Sequence, residues 1–287
     1  MMSTDKLTIG AVAYDPRVVT IWEGFKAYLT EQGLSFDYVL FSNYEAQVEA
    51  HMAGAIDLAW NSPLAWVRSR RIAQSRGDKV WPLVMRDVDR SLTSTILVRS
   101  DDPARSLDEL RGRRVGVGAI DSPQATLIPL LHLRDAGIEP ERDVQVILHD
   151  VFAGKHGDHG TAERLAVAAL WDGAVDAACV LTANVDTIVA EGVVPADALR
   201  PLAATGPFDH CNFTVSTAAS DHLVERFGEL LLDMSYDDPA VRPLCDLEGL
   251  KRWEPGRTDG YDLLERAVDA FGFYDAAGAI TASGYRS

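Results

Sequence analysis

The sequence predicts an α/β protein of two lobes, each a mixed sheet flanked by helices, and three observations carry that reading. Short apolar runs alternate with segments of helical period along most of the chain, the pattern of repeated βα units. There is an internal echo: HMAGAIDLAW at 51–60 matches LWDGAVDAAC at 170–179, each a helix end, a glycine, an aspartate and a strand, and LTIGAV at 7–12 is answered by RRVGVG at 113–118. Finally, 287 residues divide comfortably into two lobes of ordinary domain size.

In order, the spacing predicts a strand at 7–13, a helix at 18–32 with Ile21, Trp22, Phe25 and Leu29 on its buried face, and a strand at 36–41. A helix at 44–52 and a strand at 55–60 follow, the latter ending in Asn61-Ser62-Pro63. Residues 94–99 read as extended, 106–110 as a short helix, 144–148 as a strand, 161–171 as a helix and 174–181 as a strand. A helix near 184–191 and a crossing strand at 199–204 lead to a helical last part, near 221–234, 239–247 and 261–271, with too few strands for a sheet of its own. The lobes expected from this order are 1–98 plus 200–287, and 99–199, hinged by two crossing strands with a cleft between them.

Composition narrows the function. A hydrophobic content of 47% and a charged content of 24% are those of a globular chain, and a net charge of −16 argues against nucleic acid or a membrane surface as partner. MMSTDKLTIGAVAYD carries Lys6 as its one basic residue and no apolar run of leader length, and no stretch approaches a membrane span. This start predicts a cytoplasmic location as given, periplasmic or extracellular if a leader has been removed. Cys179, Cys211 and Cys245 are odd in number and lack metal-type spacing, which predicts reduced, buried thiols. The run Arg68, Arg70, Arg71 reads as a solvated helix face, Trp22, Trp60, Trp66 and Trp81 as packing aromatics, and His51, His132 and His222 as surface or satisfied helix residues.

The stretch 113–133 is the first candidate site. Val115, Val117 and Ile120 form a strand, Asp121 or Ser122 suits the N-cap, and Pro123 suits the first helical position. Such a helix start attracts anions, with the Ser122 and Thr126 hydroxyls as further donors. A dinucleotide fingerprint fails here because Asp121 stands where its third glycine belongs, and Gly154-Lys155 lacks the spacing of a P-loop.

GAIDLAWNSPLAWV at 54–67, STILVRSDDPARSLDELRGRRVGVGAIDSPQAT at 94–126 and HGTAERLAVAALWDGAVDAACV at 159–180 stand in an order that resembles the substrate-binding proteins of phosphonate, phosphite and phosphate ABC transporters. These are a branch of the type 2 periplasmic-binding fold. The resemblance covers about residues 5–205 well and the remainder loosely. It implies that the turn bearing Asp121, Ser122, Gln124 and Thr126 holds an oxyanion, that Tyr14, Asn61 and Ser62 face the cleft, that Thr93 and Thr95 approach it near the hinge, and that the loop with His156 and His159 stands opposite the turn.

That loop, AGKHGDHGTAE at 153–163, concentrates Lys155, His156, Asp158 and His159, and Asp209-His210-Cys211-Asn212 forms a second polar cluster. His156, Asp158, His159 and His210 could bind iron or zinc, or the loop could contact an anion directly. Two functions follow as expectations. One is a non-enzymatic protein that binds a small anionic or zwitterionic solute for transport or sensing, with a permease as partner if exported. The alternative is a cytoplasmic enzyme of the same fold using those His and Asp groups for metal-assisted or acid/base chemistry on a small acidic substrate. No Gly-x-Ser-x-Gly is present, and no cysteine has an activating neighbour beyond His210 beside Cys211.

Overall fold

The computed structural model describes residues 6–287, so residues 1–5, part of the start read for a leader, lie outside it. In chain order the elements are β1 (Leu7–Val12), α1 (Arg17–Glu31), β2 (Phe36–Phe41), α2 (Tyr44–Met52), β3 (Leu58–Asn61), α3 (Pro63–Arg76), β4 (Val80–Pro82), β5 (Val84–Arg86), β6 (Ser94–Arg99), β7 (Arg114–Val117), α4 (Ile128–Asp135), β8 (Gln145–Leu148), α5 (Thr161–Trp171), β9 (Ala177–Leu181), α6 (Val185–Ala190), β10 (Leu199–Ala204), β11 (Asn212–Ser216), α7 (Asp221–Leu232), α8 (Arg242–Glu248), β12 (Trp253–Pro255) and α9 (Asp262–Phe271). The chain forms two compact units.

The first unit comprises residues up to Arg90, Asp209–Tyr261 and Tyr274–Ile280. Its sheet runs β2-β1-β3-β11-β4, with β1 parallel to β2 and β3, and β11 antiparallel to β3 and β4. Phe213 on β11 is the hub of the core: it meets Phe227 edge-on at 4.9 Å, Trp22 at 5.9 Å and Trp60 at 4.8 Å. Such pairs add about 0.5–1.5 kcal/mol each beyond the apolar area they bury. Val18, Ile21, Trp22, Phe25 and Leu29 of α1 close over them, on the face that the spacing predicts.

The arginine run is not a solvated face. Arg68 and Arg71, one helical turn apart on α3, are both buried. Arg68 donates to the carbonyls of Gly278 and Glu45, each at 3.1 Å, and Arg71 to those of Tyr274 at 2.9 Å and Asp275 at 3.3 Å. Their guanidinium groups satisfy the backbone of the 274–280 segment and fasten it to this unit.

The second unit comprises Ser91–Phe208, Asp262–Phe273 and Thr281–Ser287. Its sheet runs β10-β6-β9-β7-β8, with β7 parallel to β8 and β9, and β6 antiparallel to β9 and β10. The period of two along β6 sends Ile96 and Val98 to one apolar cluster and Leu97 to the other, so both faces of the sheet are covered. The divisions expected at 98/99 and 199/200 fall at the ends of β6 and β10. Both strands pair inside this sheet, which moves the divisions to 90/91 and 208/209. Helix α9 also belongs here, because Arg134 donates to the Ala270 carbonyl at 2.6 Å and stacks over Phe271. The chain passes between the units at five points, including 261/262, 273/274 and 280/281, where two crossing strands were expected. Cys179, Cys211 and Cys245 are buried thiols, none of them in a disulfide.

His51 on α2 is buried, not on the surface, and burial pushes its pKa down to about 4 from 6.5. A histidine lowered in this way is neutral when folded and takes up a proton on unfolding, so it adds stability as pH rises from about 4 to 6.5. Replacing His51 by Gln is expected to shrink the stability gained between pH 4.5 and 7 by about 2 kcal/mol, read from urea unfolding at the two pH values.

Candidate functional site

In the second unit β7 ends at Val117 and the chain turns back so tightly that a Cβ on Gly118 would lie 2.8 Å from that of Ala125. Ser122 is the N-cap, accepting from the Ala125 amide at 3.2 Å, and Pro123 takes the first helical position. The helix does not start as an ordinary α-turn. Leu127 N donates to Ser122 O at 3.0 Å, five residues back, which makes Pro123–Leu127 a single π-turn ahead of α4.

Several donors of the turn are already committed. Thr126 Oγ1 donates to Ala119 O at 2.7 Å, the Thr126 amide to Ser122 O at 3.1 Å, and Ser94 Oγ to Gln124 O at 2.5 Å. Both hydroxyls shape the turn, Thr126 Oγ1 as a donor and Ser122 Oγ as an acceptor.

Asp121, 0% exposed, anchors the loop that follows β8. Its Oδ2 accepts the Gly154 amide at 2.5 Å, the His156 amide at 3.3 Å and the Tyr285 hydroxyl at 3.3 Å. The loop is pressed onto the turn: a Cβ on Gly157, where φ is +82°, would fall 2.4 Å from Ser122 Oγ and 2.7 Å from Gln124 Nε2. His156 is buried with φ +51°, and Phe152, half-exposed, has φ +58°. Left-handed backbone at two such side chains is strain of the kind that the surrounding contacts must enforce. His159 stacks on Phe152 at 4.2 Å and its Nδ1 is hydrogen-bonded to Thr161 Oγ1. Lys155 has its pKa lowered by partial burial, against the pull of Asp158. Below the turn, Glu163 accepts from Gln124 Nε2 at 3.4 Å, Leu181 N at 3.0 Å and Asn184 Nδ2 at 3.0 Å, and burial holds its carboxyl above the usual range.

Thr93 and Thr95 are strand fasteners in the same unit, Thr93 Oγ1 bonding Thr182 Oγ1 at 3.0 Å and Thr95 Oγ1 donating to Ala203 O at 3.1 Å. Tyr14, Asn61 and Ser62 belong to the first unit, where Tyr14 packs on the aromatic core and Ser62 caps α3. Asn61 stands in a buried polar network. It accepts from Gln47 Nε2 at 2.9 Å and donates to Thr214 Oγ1 at 2.8 Å, which leads through Asn212 to the Tyr261 hydroxyl.

Among the described residues His156, Asp158 and His159 are not brought together as a group of ligand atoms within 4.8 Å. His156, Asp158 and His159 are in the second unit and His210 in the first. Among the described residues, the one grouping of three His, Cys or acidic ligand atoms within 4.8 Å is Asp89, His210 and Cys211. Asp89 there is already held by Arg86 through bonds of 2.6 and 2.9 Å. Burial opposes the charge on Arg86, and Asp89 and Glu248 more than offset it, so the Asp89 carboxylate already has a permanent cationic partner.

The model of the family described as phosphonate ABC transporter, periplasmic substrate-binding protein, matches residues 9–261. The chain belongs to this family. It is 28% identical over 158 residues to the phosphate-import protein PhnD of Mycolicibacterium smegmatis, a match over 52% of this chain and 46% of that relative, so it spans just under half the relative's length. In fold it is similar to PhnD1 of Prochlorococcus marinus in complex with methylphosphonate, with TM-score 0.70 and 17% identity over 93% of this chain and 98% of that one. It is also similar to the periplasmic aliphatic sulphonate binding protein SsuA of Escherichia coli, with TM-score 0.59 and 17% identity over 94% and 87%. The two sheets flanked by helices are the fold of these binding proteins.

Tyr285 and Glu163 escaped the sequence reading. Glu163 stands in the first turn of α5, where an acidic residue is ordinary, and nothing local marks a tyrosine 164 residues from its partner. With Asp121 replaced by Asn, amide exchange at Gly154 and His156 is expected to quicken by about ten- to a hundredfold while β7 amides stay protected. That is the effect of losing charge-assisted bonds worth about 1.5–3 kcal/mol.

Proposed function

We propose that the chain captures a small oxyanion solute of the phosphonate class and delivers it to a membrane permease, working in the periplasm. The family match over residues 9–261 is the observation that carries this reading. No helix among the described residues is long and apolar enough to cross a membrane, in keeping with a carrier that depends on a separate permease.

The geometry of the second unit narrows the solute. With the Thr126 hydroxyl committed to Ala119 O, positive charge comes from Lys155 in the loop and further donors from His156 and His159. Gln124 Oε1 is buried with no hydrogen-bond partner among the described residues, an acceptor that calls for a donor on the solute. The carboxylates of Asp121 and Glu163 disfavour a second negative charge. These features favour a singly charged anion that keeps a P–OH, or a zwitterion, over a dianion. Lys155 is the first contact to test because a half-buried ammonium gains most from an anion.

Titration calorimetry with methylphosphonate, inorganic phosphate and methanesulfonate is expected to show methylphosphonate binding best near pH 6. Its affinity should weaken as pH rises through its second ionisation and as Lys155 loses its proton. Methanesulfonate, which has no proton to donate, is expected to bind at least tenfold more weakly, and Lys155→Ala to cost about tenfold. Absence of binding by all three at millimolar concentration overturns the assignment.

A further inference from the structure

A cavity of about 410 Å³ lies in the second unit among Leu127, Leu130, Val146, Leu148, Phe271 and Phe273, within the size range of small-molecule sites. Leu148 is 45% exposed on its wall, apolar surface that folding has left uncovered. Two charged side chains reach the cavity, Arg134 and Glu141. Arg134 is paired with Glu139 through Nε at 3.1 Å and Nη2 at 2.5 Å, and Nη1 donates to Ala270 O at 2.6 Å. Three of its five N–H donors are engaged and two remain, while Glu139 neutralises its charge. Glu141, exposed at the rim, leaves the local balance negative, in a chain of net charge −16. An anion is repelled from such a place, and a strongly hydrated cation gains nothing from its apolar walls.

We propose that this cavity is a second ligand site, for a small, uncharged, largely apolar molecule with one acceptor oxygen that takes a hydrogen bond from Arg134. The walls tie it to the turn described above. Ile120, Thr126 and Leu127 come from that turn, and Ala282 and Ser283 from the segment whose Tyr285 hydroxyl reaches Asp121. An occupant touches both parts that the Asp121 carboxylate joins. The site is independent of the oxyanion reading and is tested without any phosphonate.

The probe is cyclohexanol, followed by saturable methyl shifts of Leu127 and Leu130 in carbon-edited NMR spectra, with cyclohexanecarboxylate as the charged counterpart. Saturation in the millimolar range or tighter is expected, at least fivefold weaker for the carboxylate. Ala282→Trp, which places bulk at a partly buried wall position, is expected to weaken cyclohexanol at least tenfold. Leu148→Ser, at the rim and outside the packed core, is expected to weaken it about threefold, and Leu165→Ser, exposed on α5 away from the cavity, to leave it unchanged. Should Ala282→Trp fail to fold, Leu148→Ser decides alone. Shifts that do not saturate, a carboxylate that binds as well as the alcohol, or binding indifferent to Leu148→Ser overturns the proposal.

Discussion

The carboxylate of Asp121 is the interaction on which the second unit's candidate site depends. One oxygen, fully withdrawn from water, collects amides from 33 and 35 residues downstream and a hydroxyl from 164 residues downstream. A buried carboxylate is tolerable only when donors surround it, so the loop and the final segment are bound to the turn by the cost of leaving that charge unsatisfied. The strain at His156 and Phe152 follows, since a loop drawn in by two amides at fixed positions must take up its slack in the residues around them. Gly157 completes the fit because any side chain there would enter the space of Ser122 and Gln124.

Most of the fold was legible because its signals are local. The helices at 44–52 and 161–171 and the strands at 36–41 and 199–204 coincide with the pattern read from apolar spacing, and Ser122-Pro123 reads correctly as a helix start. What could not be read is what depends on partners far away in the chain. The boundary between units moved because β6 and β10 pair with one sheet, a choice made by tertiary hydrogen bonding. Arg68 and Arg71 looked solvated because their partners are carbonyls near residue 275, and carbonyls leave no trace in a sequence. The turn at 121–126 was identified as a structure, but the commitment of the Thr126 hydroxyl to Ala119 O was not, because spacing shows which donors exist and not which are already satisfied. His210 likewise stands beside Asp89, a neighbour 121 residues away that spacing does not show.

Two buried polar systems therefore do different work. In the first unit the chain from Gln47 through Asn61, Thr214 and Asn212 to Tyr261 consists of neutral groups whose described bonds lie within the unit, and it registers β11 against β3. In the second unit Gln124 Nε2 donates to Glu163, whose carboxyl also gathers Leu181 N and Asn184 Nδ2. Each system leaves one buried amide oxygen without a partner among the described residues, Gln47 Oε1 in the first and Gln124 Oε1 in the second.

The way the chain alternates between the two units bears on how it can be made. The first sheet needs β11 inserted between β3 and β4, some 150 residues after β3 has left the ribosome, and its arginine fasteners then await residues 274–280. The second unit in turn needs α9 and residues 281–287. Neither unit can close on one continuous stretch of chain, so each waits on segments made later, with apolar strand edges open in the meantime. For such a chain the burden of quality control falls on the nascent polypeptide, and neither unit can be cut out at a single pair of boundaries and kept whole.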